Sequence, residues 1–403
     1  MINQVSTYHR SDVSIRLIML YALIICPHII SHPASNIGYI ITRALQVVSV
    51  LIWIALLTIK HKTTQNSNKS FSHIVNIWWL IIVTISLSKV PILQFTQFYY
   101  WITVWDILLI AEIYWTKDFK RHLHNMVVLF SFLVYLCVFL YILFPDGLWI
   151  EDDWIGTGNY ERYLFGNYNQ TGLVALIAIM LNGVYSLYTG QGYTNMLFLS
   201  LASIITIMAM GSMTSTVGLI IICAYFIFHK LIRRPYLLIA IFTFLYVAFF
   251  SLIVWQGQDI ENWQYISQFI ENVLGKSTTF SSRIYLWLNS TLLIKDSLFF
   301  GYGAQGVEWM VNNIGGSGPH NLWLMILLEG GLVLCVSLIF VIAYTFISLR
   351  KNNTNAGAFA AICLCDILLM SLFETYYIVC VFFILIIAYY TYLTKDTLTA
   401  EES

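Results

Sequence analysis

Charge is what this chain has least of. Asp, Glu, Lys and Arg make up 10% of its 403 residues, against about 25% in soluble domains. The two signs balance at 20 each, so nothing in the charge calls for a nucleic-acid partner. Polar-loop cysteine is missing too. All seven cysteines (Cys26, Cys137, Cys223, Cys335, Cys363, Cys365 and Cys380) sit inside apolar runs. That placement, and the odd number, exclude a disulfide framework or a zinc knuckle and leave small apolar packing residues. No GxxxxGK[ST], no GxGxxG after a strand, no HExxH and no CxxC occurs, which argues against soluble nucleotide or metal chemistry. The adjacent Asp152 and Asp153 do not form a metal motif.

What is present is apolar surface. Hydrophobic residues are 59% of the chain, more than a protein could cover with polar groups in water, so its solvent is largely lipid. A helix crosses the hydrocarbon core in about 20 residues. Runs of that kind occupy 15–31, 38–59, 73–90, 98–115, 125–144, 169–188, 195–211, 215–229, 236–255, 321–349, 356–373 and 376–394. The fold expected is all-α: a polytopic membrane protein of about twelve transmembrane helices, forming a single domain over 1–403. Arg10 and Arg16 precede the first run with no small-residue cleavage pattern after it, which reads as a retained first span.

Sidedness follows from the cations. With both termini cytoplasmic and twelve spans, only Arg43, Lys89, Arg162, Lys276, Arg283 and Lys295 fall on the outer side; the other Lys and Arg lie inside. That is the expected cytoplasmic excess. Two outer loops are large, 145–168 and 256–320, and both are rich in aromatic residues. Loops of such length usually carry function.

Arg162 and Arg283 stand in those loops, where positive charge is otherwise scarce. A guanidinium suits a phosphate group, which its planar fork grips bidentately; pairing with Glu151, Asp152, Asp153 or Glu161 is the alternative. Arg43 lies about a turn inside the second span, where it either faces a substrate or snorkels. Residues 282–297 read as an amphipathic helix in the second loop. Arg283 and Trp287 share one face, and Tyr285, Leu288, Leu292 and Leu293 would let it lie on the membrane or pack as an ordinary loop helix. His320 follows Gly315-Gly316-Ser317-Gly318-Pro319 and opens the tenth span with Asn321. An imidazole there can take a proton from a hydroxyl nucleophile, or serve as an interfacial cap. Asp106, Glu112, Glu329, Asp366 and Glu374 are acids within or beside apolar runs and are functional hypotheses by default. For Asp106, Glu112 and Asp366 a role as buried ties between helices is preferred.

The stretch SRIYLWLNSTLLIKDSLFFGYGAQG at 282–306, then GPHNLWLMILLEGG at 318–331, resembles the bacterial O-antigen polymerases and O-antigen ligases. It is similar to their arginine-bearing outer-loop helix, a Gly-x-Gly turn, and the H-N-x-x-L-x-x-x-x-E-x-G segment that opens the next span. RYLFGNYNQTG at 162–172 resembles their F-G-N-x-N entry to a span. The resemblance implies a glycan carried on undecaprenyl pyrophosphate, used at the outer face of the bacterial inner membrane without metal or cofactor. It implies pyrophosphate binding by Arg283 and Arg162 and a general-base role for His320, with Asn321 and Glu329 in support; Trp287, on the face of Arg283, is a further supporting residue. A chain-length regulator is a further partner it suggests, beside membrane lipids. One departure stands out. MGSMTSTVG at 210–218 has no arginine where many family members carry one after a Ser or Thr; either Arg43 supplies that charge from another helix or the site works with two arginines.

The activity expected is glycosyl transfer that joins lipid-linked repeat units into O-antigen or capsular polysaccharide. The alternatives are ligation of the glycan to lipid A-core and, from a different class, a polysaccharide flippase or transporter. Transporters commonly show internal repeats and paired broken helices; neither is visible in this sequence, and its polar features crowd at one face.

Overall fold

The computed structural model describes residues 70–91, 104–152 apart from 106 and 110, 159–232, 235–255, 277–352, 354–375 and 378–393, with six positions between 41 and 52. Arg43, Asp106, the first expected span and residues 256–276 lie outside the described residues.

A backbone in lipid must satisfy its own N–H and C=O groups, so long apolar runs become helices. In chain order these are α1 (Ser70–Lys89), a π-helical turn Ala111–Trp115 leading into α2 (Thr116–Leu143), α3 (Tyr168–Thr189), α4 (Tyr193–Ala209), α5 (Met213–Phe228) and α6 (Pro235–Phe249), which runs on as a π segment Phe250–Trp255. After them come α7 (Ser277–Asp296), α8 (Val307–Ile314), α9 (Leu322–Asn352), α10 (Asn355–Met370) and α11 (Ile378–Leu393). Four of them (α1, α2, α3 and α9) are long and apolar enough to cross a membrane, and α4, α5, α6, α10 and α11 are shorter apolar helices. These nine correspond to nine of the twelve expected spans. Among the described residues, one pair of strands departs from the all-helical expectation. In the loop 145–168, β1 (Trp149–Asp152) and β2 (Asn159–Arg162) pair antiparallel, Trp149 opposite Arg162.

Polar residues mark where the apolar helices begin and end. Asn167 accepts from Gln170 N while the Gln170 side chain accepts from Asn167 N, a capping box that satisfies two orphan donors at the start of α3. Thr354 caps α10 through Gly357 N. At the start of α9, Asn321 Oδ1 accepts from Trp323 N and Leu324 N, and its Nδ2 donates to Leu372 O. Helices α3, α10 and α11 form the middle of the bundle, and every residue of α10 from Ala356 to Ile367 is buried. Large apolar side chains on α2, α4 and α6 face outward instead, Phe132, Leu201 and Phe244 among them, as suits a surface that meets lipid. Buried amides tie neighbours: Asn182 on α3 and Asn195 on α4 both donate to Ser131 Oγ on α2. Asp366 makes no such tie. It is buried beside Gly218 of α5, and neither carboxyl oxygen has a hydrogen-bond partner among the described residues.

The tenth span, expected over 321–349, is not a straight rod. α9 and α10 share both ends: Leu322 N donates to Ser371 O at one, and Thr354 follows directly at the other. Yet α9 has 31 residues and α10 has 16, about 46 Å against about 24 Å at 1.5 Å per residue. A straight α9 cannot close that gap. It breaks at Gly331, where φ is 61° and ψ is −159°, and residues 322–330 turn across the end of the bundle. There a second, smaller apolar core forms from Trp287, Ile294, Met310, Ile314, Leu324, Leu327 and Leu328. The helix expected over 282–297 is therefore no surface raft. α7 starts at Ser277, and Trp287 is buried in this core while Tyr285 and Leu292 stay exposed, because its apolar side finds protein to pack on.

The break is filled by the turn after α7. Leu332 N and Val333 N donate to Leu298 O and Phe299 O, while Tyr302 N and Gly303 N donate to Leu328 O and Glu329 O. These bonds satisfy the groups that a broken helix exposes. Both sides approach so closely that a Cβ on Gly331 would overlap the Phe299 main chain and one on Gly301 would overlap Leu328 O. Gly331→Ala combines that overlap with a positive φ, and a loss of about 2 kcal/mol or more is expected. Thermal unfolding of the detergent-solubilised variant measures it; a midpoint equal to wild type would mean that the break is not held as described.

Candidate functional site

Four stretches of chain converge on one carboxylate. The capping box at Asn167 sets the first turn of α3, so that Asn169 reaches out and its Nδ2 donates to Glu374 Oε1 at 2.8 Å. Behind it Ser212, at the start of α5, donates to Asn169 Oδ1 at 2.8 Å. From α7, Arg283 Nη2 bonds the same Oε1 at 2.6 Å. From the entry to α9, His320 Nδ1 lies 3.2 Å from Glu374 Oε2. Glu374 itself follows the end of α10, and its side chain is only 10% exposed, against 22% for Arg283 and 38% for His320. A carboxylate that far from water needs such donors.

The histidine is held rather than draped. Its φ is 46°, the one positive value on a non-glycine residue among those described. Such a backbone costs of order 1 kcal/mol or more and persists only where the surroundings over-determine it. They do so here. Trp287, one turn on from Arg283, donates its indole N–H to Pro319 O at 2.9 Å, and Asn289 on the same helix donates to Ile314 O at 3.0 Å. On the other flank Asn321 caps α9 and bonds Leu372 O. With Nδ1–H given to Glu374, the lone pair of the imidazole is on Nε2. That is the arrangement of a base whose tautomer is fixed by a carboxylate.

Of the residues singled out in the sequence, Arg283 and His320 come together, with Trp287 and Asn321 as their supports. Arg162 ends β2, its carbonyl accepting from Leu148 N at 2.7 Å; it stands seven positions before Asn169 on the connection into α3. Glu329 is buried two residues before the break in α9, where its main-chain oxygen takes the Gly303 bond. Arg43 lies outside the described residues. In the sequence Glu374 is an acid beside an apolar run with no pattern that joins it to the site, and Asn169 and Ser212 are not among the candidate residues. Signals existed: Asn169 is the second asparagine of FGNYN, and Ser212 lies in the MGSMTSTVG stretch that lacks an arginine. At this position the chain presents hydroxyls, and Ser212 reaches the carboxylate through Asn169.

Removing the hub should be felt in stability as well as chemistry. Glu374→Ala strands Arg283 and Asn169, and with the pair partly exposed a cost of about 1–3 kcal/mol is expected. Thermal or denaturant unfolding in micelles checks this; a variant as stable as wild type would show that the carboxylate does not hold these elements together.

Residues 198–339 match the family model described as O-Antigen ligase, in agreement with the resemblance to the O-antigen ligases and polymerases seen in the motifs. The matched stretch contains Arg283, Trp287, His320, Asn321 and Glu329. No curated protein matches the chain.

Proposed function

We propose that the chain is a bacterial inner-membrane glycosyltransferase of multi-pass topology that polymerises repeat units carried on undecaprenyl pyrophosphate, producing O-antigen or capsular polysaccharide at the outer face. The observation that carries this reading is the Arg283–Glu374–His320 constellation: a cation for the leaving group and a carboxylate-oriented base, on segments 91 and 54 residues away from the carboxylate in sequence. The family match supports transfer of a lipid-linked glycan; polymerisation rather than ligation rests on the aromatic and acidic character of the loops, which suits a polysaccharide acceptor.

In this reading the donor's pyrophosphate lies against Arg283, which spends one nitrogen on Glu374 and keeps other N–H groups for phosphate oxygens. Arg162, and Arg43 from its span, add positive charge. The acceptor hydroxyl gives its proton to His320 Nε2 as its oxygen attacks the anomeric carbon. The bond from that carbon to the pyrophosphate oxygen breaks on the opposite side, and configuration inverts. Negative charge grows on the leaving pyrophosphate as positive charge grows on the imidazole. Arg283 meets the first and Glu374 the second, groups already in place before the reaction starts. No nucleotide is consumed, because the carrier brings its own leaving group. Tyr and Trp side chains of the loops would stack on sugar faces.

His320→Ala should lower chain extension by about 10²–10⁴-fold with membrane insertion intact, read as loss of the glycan ladder from purified protein and lipid-linked repeat unit. A ladder of wild-type length would sink the assignment. Transfer of single glycans to lipid A-core in the same assay would make the protein a ligase, and translocation without bond formation a flippase. Arg283→Lys keeps the charge but loses the fork, so activity should fall by about tenfold or more; full activity would make Arg283 a structural partner of Glu374.

A further inference from the structure

The helix α1 contributes no side chain to the Glu374 cluster, yet its last residue is joined to the turn that carries the cluster's two halves. Lys89 Nζ donates to Gly301 O, and the same nitrogen lies 3.4 Å from Ser297 Oγ. Ser297 Oγ itself donates to Gly301 O at 2.7 Å. One turn before Lys89, Ser86 Oγ accepts from Ala304 N at 3.0 Å, and Val90 closes on Gly303 so tightly that a Cβ there would press into it. Lys89 is an exposed residue, yet its ammonium donates to a main-chain carbonyl instead of only to water.

What that carbonyl belongs to gives the contact its meaning. Residues 297–303 continue directly from α7, which bears Arg283, and they fill the break in α9, whose crossing segment begins beside His320. The turn is continuous with the arginine helix and bonded to α9 on both sides of the break, so where it is seated sets where that helix stands relative to the histidine segment. Displacements near 1 Å at such a remove are enough to cost about 10²-fold in rate. We propose that Lys89 is a positioning residue for glycosyl transfer: by clamping Gly301 it sets the registry of Arg283 with His320, without touching the substrate. This rests on the transfer reading above.

The test is steady-state kinetics of purified protein on the lipid-linked repeat unit, for wild type, Lys89→Met and Lys89→Arg. If wild type forms no glycosidic bond, the transfer reading fails and the clamp with it. If wild type is active, Lys89→Met should lose about 10²-fold in kcat with donor KM unchanged, and Lys89→Arg, which can still donate to Gly301 O, should restore most of it. Wild-type kcat in Lys89→Met overturns the clamp while leaving the transfer reading standing. A raised KM with kcat unchanged overturns it too, since Lys89 would then be a donor contact. Loss in Lys89→Met that the arginine does not repair also counts against it. Should Lys89→Met fail to accumulate in membranes, Ser86→Ala loosens the same turn through Ala304. A kcat loss at constant KM supports the proposal there, and wild-type kcat refutes it.

Discussion

The carboxylate of Glu374 is the contact on which this site depends. A single acid, nearly withdrawn from water, accepts from Asn169 and Arg283 and faces His320. Each donor comes from a different element: the start of α3, the middle of α7 and the entry to α9. Trp287 and the stitched turn hold α7 to the entry of α9 from behind, and at the site itself the three elements meet on the lone pairs of one side chain. A buried charge is expensive unless fully partnered, and that expense makes the cluster specific. Any arrangement that separates the donors leaves an unpaired ion behind.

The bundle beneath serves this convergence through length. α10 is short and buried all round, while α9 is far longer and has the same neighbours at both ends. The surplus is spent at Gly331, and the segment thrown sideways becomes part of the second core with Trp287 and Met310. The layer that frames His320 is thus built from a span's own excess, supported by a helix from the second long loop and met by Asn169 from the first turn of α3.

Much of this was open to inspection in the sequence, for physical reasons that can be named. Apolar runs of bilayer length have few outcomes other than helices, so α1 to α6 and α9 to α11 fall where the runs do. His320 stands out in the sequence through its glycine-proline approach, and the unusual backbone is its own. Other features left no readable trace. Glu374 is 91 residues from Arg283 and 205 from Asn169, and no local pattern reports a pairing over such distances. Trp287 is as apolar facing lipid as facing Met310, so periodicity could not say which it would meet. Gly330-Gly331 in an apolar run is tolerated by an unbroken helix; only the turn that enters the gap shows that this one breaks.

The stitched break also bears on how a long polymer could be made here. Many enzymes enclose their substrate by swinging a flap over it, but the segment 297–303 is sewn to α9 through main-chain bonds on both sides of the break, so among the described residues this part of the frame resists swinging as a flap. Under the transfer reading, each round of extension then requires the glycan to slide past fixed groups, and the length of the product is governed by how long a chain keeps hold of the rim rather than by the opening and closing of the protein.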